Sequence, residues 1–226
     1  MGKLGRVIKI VSEIGFVKTV RFNFGYLPFR HAVKMPIIVS RHLRIRRAGG
    51  SVVLPEKVSP GMIRLGFDSC GIFDNKRSRS IWEVAGKVVF NGKAVIGNGC
   101  KICVMGGGGK LVIGQRVMFT AESTVVASTH IEIGDDCLFS WDILIMDTDF
   151  HGIYDDGGSL INPPAAVTIG NHVWVGCRCL ILKGSVIPSG CVVAADTRIT
   201  KPFVTENCVI GRNPAVEIKR DIGWVR

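Results

Sequence analysis

Toward the C-terminal end of this chain, small apolar residues recur at every sixth position: Ile169, Val175, Ile181, Ile187, Val193 and Ile199. An α-helix repeats every 3.6 residues and a strand every two. Six is a multiple of two, so these side chains can share one strand face. A single strand carrying them all would run far past the usual length of roughly 3–10 residues. A short strand, a turn and another short strand, repeated as a coil, removes the conflict. Three six-residue units make one turn of a triangular prism, with each coil hydrogen-bonded to its neighbours about 4.8 Å away. One coil cannot bury its apolar face alone, so the interior is expected to hold a stack of Ile and Val.

The same rhythm extends upstream. Phe90, Ile96 and Ile102 are in phase, Gly106–Gly109 break it, and Ile113, Phe119, Val125 and Ile131 restore it. A two-residue slip near Ser128–His130 resets the phase to Ile133, Phe139 and Ile145. Ile-Gly pairs at 96–97, 113–114, 133–134, 169–170 and 210–211 are expected at tight corners, where glycine bends without steric penalty. From residue 37 the segments IIVS, LRIR, SVVL and MIRLGF read as short strands, the first coils in irregular form, with Asp74–Ser80 as an exposed loop. The organisation expected is a basic amphipathic segment (1–36), an irregular strand-rich part (37–85), the regular coil (86–218) with a loop at 147–166, and a tail (219–226). The rule for parallel crossovers predicts right-handed connections.

Charge changes the picture at one end only. The chain carries a net +11, yet residues 1–50 hold 11 Lys and Arg against one acid, Glu13, while the rest is nearly neutral. Within 3–22, Leu4, Val7, Ile8, Val11, Ile14 and Val17 fall at helical spacings, so an amphipathic helix is expected. Through residues 1–24 it either lies on an anionic membrane surface or packs on the end of the coil, whose edges need a cap. Nucleic acid is not the expected partner. No apolar run is long enough to cross a bilayer, and the start lacks a secretory signal pattern, so a cytoplasmic location is expected, at the inner face of the membrane if the helix binds lipid. Eight cysteines are then reduced, buried thiols. Cys100 and Cys103 form a CxxC without a second pair, and no metal is expected.

The strings IEIGDDCLFSWDILIMDTDFH (131–151), VTIGNHVWVG (167–176) and CVIGRNPAVEIKR (208–220) resemble the hexapeptide-repeat acyltransferases, most closely the sugar O-acetyltransferases of capsule, exopolysaccharide or lipopolysaccharide synthesis. That resemblance implies an all-β, left-handed parallel β-helix with a basic N-terminal helical segment and a short C-terminal extension. It reverses the handedness given by the crossover rule. It also implies acetyl-CoA as donor, a sugar or polysaccharide-precursor hydroxyl as acceptor, and a homotrimer with active sites between subunits.

Acetyl transfer from a thioester to an alcohol needs a base, and a neutral imidazole suits this near pH 7. By its place in DTDFH, His151 matches the family's catalytic histidine. Asp149 or Asp147 is expected to orient the ring or meet sugar hydroxyls, with Asp149 the favoured orienting group and Asp147 and Asn162 on the substrate side. Gly176 is a weak candidate for the oxyanion donor or cofactor wall. Trp174, one residue before inward Val175, projects outward toward a subunit contact or the CoA groove. Lys201, Arg212, Lys219 and Arg220 supply charge for CoA phosphates, and the small Ala194 and Ala195 leave room for pantetheine. Rival readings are an acetyltransferase of serine or a drug, a zinc carbonic-anhydrase-like enzyme using His130, His151 and His172, and a non-catalytic scaffold.

Overall fold

A computed structural model describes residues 12–67, 70–74 and 77–226. Its short strands wind into a prism whose three faces are parallel sheets, interrupted only by a final antiparallel strand, Val216–Lys219. The first face starts at Ile37–Val39, the second at Arg44–Ala48 and the third at Ser51–Val53. The strands before residue 86 lie in the same sheets as those after it, as the first coils, and they carry a register shift between Ile45 and Arg47.

The apolar hexads form the core. On the first face Leu65, Ile96, Phe119, Phe139, Val175, Val193 and Ile210 are successive register partners. On the second, Trp82, Ile102, Val125, Ile145, Ile181 and Ile199 align in the same way. All are buried. Side chains of matched shape meet on adjacent coils, as where Phe119 and Phe139 stack 4.2 Å apart.

The breaks in the rhythm share one location. On the third face Phe90, Ile113, Ile133, Ile169 and Ile187 are consecutive partners, so the coils between them measure 23, 20, 36 and 18 residues. From Phe90 onward to Ile199, the steps onto and along the first and second faces remain six residues, whereas the earlier step from Leu65 to Trp82 is longer. Each of these three insertions (Gly106–Gly109, the slip at 128–130, and 147–166) therefore falls at the edge between the second and third faces, while residues 66–80 leave earlier, between the first and second. The Ile-Gly pairs have a different cause from the one expected. A Cβ on Gly114 would lie 2.5 Å from the carbonyl carbon and oxygen of Gly134. These glycines permit close approach of the next coil, while residues such as Arg116, Asp136 and His172 adopt the left-handed conformation just beyond them.

Both ends are covered. Helix α1 (Phe16–Tyr26), followed by the short α2 (Phe29–Ala32), lies along the free edge of strand Ile37–Val39. Thr19 and Asn23, four residues apart, face strand residues two apart. The Thr19 hydroxyl accepts from Val39 N–H (3.0 Å) and donates to Val39 C=O (3.3 Å). The Asn23 amide accepts from Ile37 N–H (3.2 Å) and donates to Ile37 C=O (2.7 Å). One helical turn rises about 5.4 Å and two strand residues about 6.6 Å, close enough for two side chains to replace a missing strand. Phe22 seals the interior against Trp82, with ring centroids 5.2 Å apart. The expected helix is interrupted at Ile14, which bridges to Ser40 outside it, and then runs further than predicted, to Tyr26. Its buried stripe is Thr19, Phe22 and Asn23, while Val17 is 67% exposed. Leu4, Val7, Ile8 and Val11 lie outside the described residues. No helix among the described residues is long and apolar enough to cross a membrane.

The cysteines are free thiols, and burial pushes Cys100 and Cys137 up to about 12.

Asn23→Ala is expected to destabilise the chain by about 3 kcal/mol in chemical denaturation, because it strands both backbone groups of Ile37 in a buried site. An equal loss in Val17→Ala would contradict this account of the cap.

Candidate active site

The chain leaves the prism after strand Leu144–Met146 and returns at Val167–Ile169. Asp147 anchors the departure. It is fully buried, and its carboxylate accepts from the N–H groups of Ser128 (2.7 Å), Thr129 (2.8 Å) and His130 (2.8 Å) and from the Thr129 hydroxyl (3.0 Å). The two-residue slip and the DTDFH string are thus two halves of one device. The extra residues of one coil turn their N–H groups outward, and the next coil supplies the acceptor. Asp147 was expected on the substrate side; buried and saturated with donors, it has a structural place instead.

His151 lies four residues further on, exposed at the start of the loop. Its imidazole has no hydrogen-bond partner among the described residues. Its backbone is tightly held: its N–H donates to Asp149 C=O (2.8 Å), and its carbonyl accepts from the Asn162 amide (2.9 Å). Phe150 just before it has φ of 64°, a left-handed conformation costly for a bulky side chain. The Thr148 hydroxyl steadies that turn by accepting from Phe150 N–H (3.0 Å).

Asp149 does not meet the His151 ring, contrary to the sequence expectation. Its carboxylate pairs with Lys183 Nζ at 2.6 Å and accepts from the Asn162 amide at 2.9 Å. Lys183 also donates to the carbonyls of Asn162 (2.9 Å) and Pro163 (3.3 Å). The Asn162 oxygen accepts from Ile153 N–H (2.6 Å). Asn162 therefore uses its amide group inside the loop and stands as a clamp, where a substrate contact was expected. Sequence reasoning missed Lys183. The signal was present: Ile145 and Ile181 are register partners, so residue 183 sits directly over residue 147 on the next coil.

The expected CoA contacts divide between two edges. Ile181 and Ile199 are also partners, so Lys201 sits one coil beyond Lys183 on the loop's own edge, exposed, with its ammonium 5.5 Å from the Phe203 ring. Trp174, Gly176, Ala194 and Arg212 lie on the first face or at its far edge. Trp174 is outward and 39% exposed, with its indole N–H donating to the Ser140 hydroxyl (3.3 Å). Gly176 is buried, and its N–H donates to Val193 C=O (2.8 Å), which removes it as an oxyanion donor. Ala194 is half-buried, and Arg212 and Lys219 are exposed. Arg220 pairs with Glu217 at 2.8 Å. The tail folds back so that Trp224 stacks on His172, with centroids 4.2 Å apart. His130 is on a third-face strand, His151 on the loop and His172 at the opposite edge, and no cluster of three metal-ligating side chains occurs among the described residues.

No family model matches the chain. It is 36% identical over 121 residues to a polysialic acid O-acetyltransferase of Escherichia coli O1:K1, covering 53% of this chain and 39% of that protein. It is 42% identical over 113 residues to a polysialic acid O-acetyltransferase of Neisseria meningitidis, covering 50% and 53% respectively. The chain thus spans about half or less of the length of these relatives. The crystal structure of the polySia-specific acetyltransferase NeuO superposes with a TM-score of 0.63 at 24% identity, over 84% of this chain and 79% of that one. The two share the fold: the prism is a left-handed hexapeptide-repeat β-helix of the kind found in acetyltransferases. The homologues of the chain are sugar O-acetyltransferases, and the aligned relatives modify polysialic acid.

The Lys183 ammonium, and secondarily the Asn162 amide, hold the Asp149 carboxyl below its usual range. A depressed carboxyl contributes its ion pair above the ordinary carboxylate pKa and loses it only as pH falls through the lowered value. The clamp is therefore expected to stay closed at pH 4. In Lys183→Met the Asp149 titration, followed by carboxyl NMR, should move up toward the ordinary carboxylate range. An unchanged titration would break the pairing argument.

Proposed function

We propose that the protein transfers an acetyl group from acetyl-CoA to a hydroxyl of a sugar or polysaccharide precursor, with His151 as general base. A neutral imidazole takes the proton as the hydroxyl oxygen attacks the thioester carbonyl. A new C–O bond forms, the tetrahedral intermediate collapses with cleavage of the C–S bond, and the imidazolium returns its proton to the leaving thiolate. The observation that carries this reading is the His151 ring itself, unpartnered among the described residues and mounted on a backbone fixed by Asp149, Asn162 and Lys183. Pre-set geometry of this kind lowers the entropy cost of reaching the reactive arrangement. Asp149, Asn162 and Lys183 act as positioning residues.

The loop favours a site shared between copies of the chain. Phe150, Ile153, Tyr154 and Ile161 are each more than 50% exposed, an apolar surface unsuited to water. In a homotrimer the neighbouring prism covers it and closes the groove around His151. The acetyl-CoA phosphates are met by Lys201 from the loop edge and Arg212 from the far edge of a neighbouring copy, with Trp174 and Ala194 lining the approach. A cytoplasmic location suits both the acetyl donor and the buried free thiols. The acceptor is a sugar in keeping with what the homologues modify, and the described residues hold no convergent metal set for the carbonic-anhydrase reading.

His151→Ala should reduce acetyl-dependent release of free CoA thiol with a sugar acceptor by about 10²–10⁴-fold while circular dichroism of the coil is unchanged. Full turnover in this variant would overturn the assignment. An acceptor screen read by the same thiol release separates sugars from serine-like or drug acceptors.

A further inference from the structure

The cap at the N-terminal end has two faces, and only one serves the coil. Thr19, Phe22 and Asn23 point inward. The opposite side of α1 carries Val17 (67% exposed) and Phe24 (45%), the first residue of α1 is the exposed Phe16 (75%), and α2 with its C-terminal cap carries Phe29 (74%) and Val33 (48%). Phe24 and Phe29 are 6.0 Å apart, so the two helices present a joined apolar surface. Arg21, Arg30 and Lys34 are exposed around it and have no ion-pair partner among the described residues. Arg41, Arg44 and Arg47 follow on the first coil, all exposed. Glu13 is the one acid in residues 1–50.

We infer that this end surface docks on an anionic lipid bilayer. A large exposed apolar patch needs a covering partner. Here the charged side chains of α1 and α2 are all cationic, and the partner must therefore supply both an apolar interior and negative charge at its surface. A membrane of anionic phospholipid provides the two together: aromatic side chains enter the boundary between headgroups and acyl chains while arginine and lysine meet phosphates. The orientation follows from the cap. Because α1 lies along the edge of the first strand, its free side faces away from the prism along the coil axis. Docked this way, the prism stands on the bilayer. The His151 loop leaves the fifth coil, four steps of about 4.8 Å above the first, so it sits on the order of 20 Å above the cap. This inference goes beyond the acetyl-transfer reading and does not depend on it, since docking requires neither His151 nor CoA.

The test uses the full chain and sedimentation with vesicles, either of phosphatidylcholine alone or with phosphatidylglycerol added. Binding is expected to the anionic vesicles, weakened by raised salt, and to be at least tenfold weaker on phosphatidylcholine alone. The double substitution Phe24→Glu/Phe29→Glu, at exposed positions, should lower anionic-vesicle affinity at least tenfold. Arg30→Glu/Lys34→Glu should do the same. Thermal unfolding of both variants should match the parent chain, showing that the cap remains folded. No binding to anionic vesicles, or binding undiminished in both variants, would overturn the inference. So would a self-associated state of the parent, seen in sedimentation velocity without lipid, that both variants dissolve.

Discussion

Every coil must return its inward side chains to positions directly over those of the coil below, because the backbone hydrogen bonds of each strand have partners only in the coils above and below it. A residue added on a face would turn the apolar set outward for the remainder of that strand. Irregularity is therefore tolerated only at the edges of the prism, where the chain can bulge and return. From Phe90 to Ile199 in this molecule it is confined to a single edge. Five residues are added there at the glycine loop, two at the slip and eighteen at the His151 loop, as the register of Phe90, Ile113, Ile133 and Ile169 requires. The constraint that protects the core thus also gathers the variable, polar chemistry into one strip.

Insertion on that edge carries a cost in unpaired backbone, and Asp147 shows how it is met. Three N–H groups freed by the slip at 128–130 converge on its carboxylate. The negative charge is buried, but it is compensated by donors from a rigid turn. The next coil then adds Lys183, which closes the loop through Asp149, Asn162 and Pro163. Support for the candidate base therefore comes from three successive coils. None of these supports touches the imidazole ring, and this leaves the ring available to a substrate.

The ends of the prism obey the same rule in another form. An open strand edge would invite pairing with other chains, and the first strand is covered by a helix whose Thr19 and Asn23 imitate a neighbouring strand. At the other end the chain reverses into an antiparallel strand and runs back to stack Trp224 on His172. Covering an edge from one side leaves the outer side of α1 to face the surroundings with its phenylalanines and arginines.

The period of six and the steps between its breaks were legible along the chain, since the spacing of inward Ile, Val and Phe is a local property and each such residue is buried where the rhythm places it. The exposed loop that His151 opens was legible in the break of the rhythm, and even the over-and-under relation of Asp147 and Lys183 could have been counted from the hexads. The partners of the polar residues were not legible. Whether Asp149 meets His151, two residues away, or Lys183, thirty-four away, depends on which side chains the coil brings within hydrogen-bond distance at the edge. The expected helix face failed for the same reason: α1 turns Asn23 and Thr19 inward because they find backbone groups to pair with there, and leaves Val17 outside. Sequence by itself determined where the coil turns and which residues fill it. Only the tertiary structure decided which polar groups pair, because a hydrogen bond is set by distance across coils, and apolar spacing carries no record of that distance.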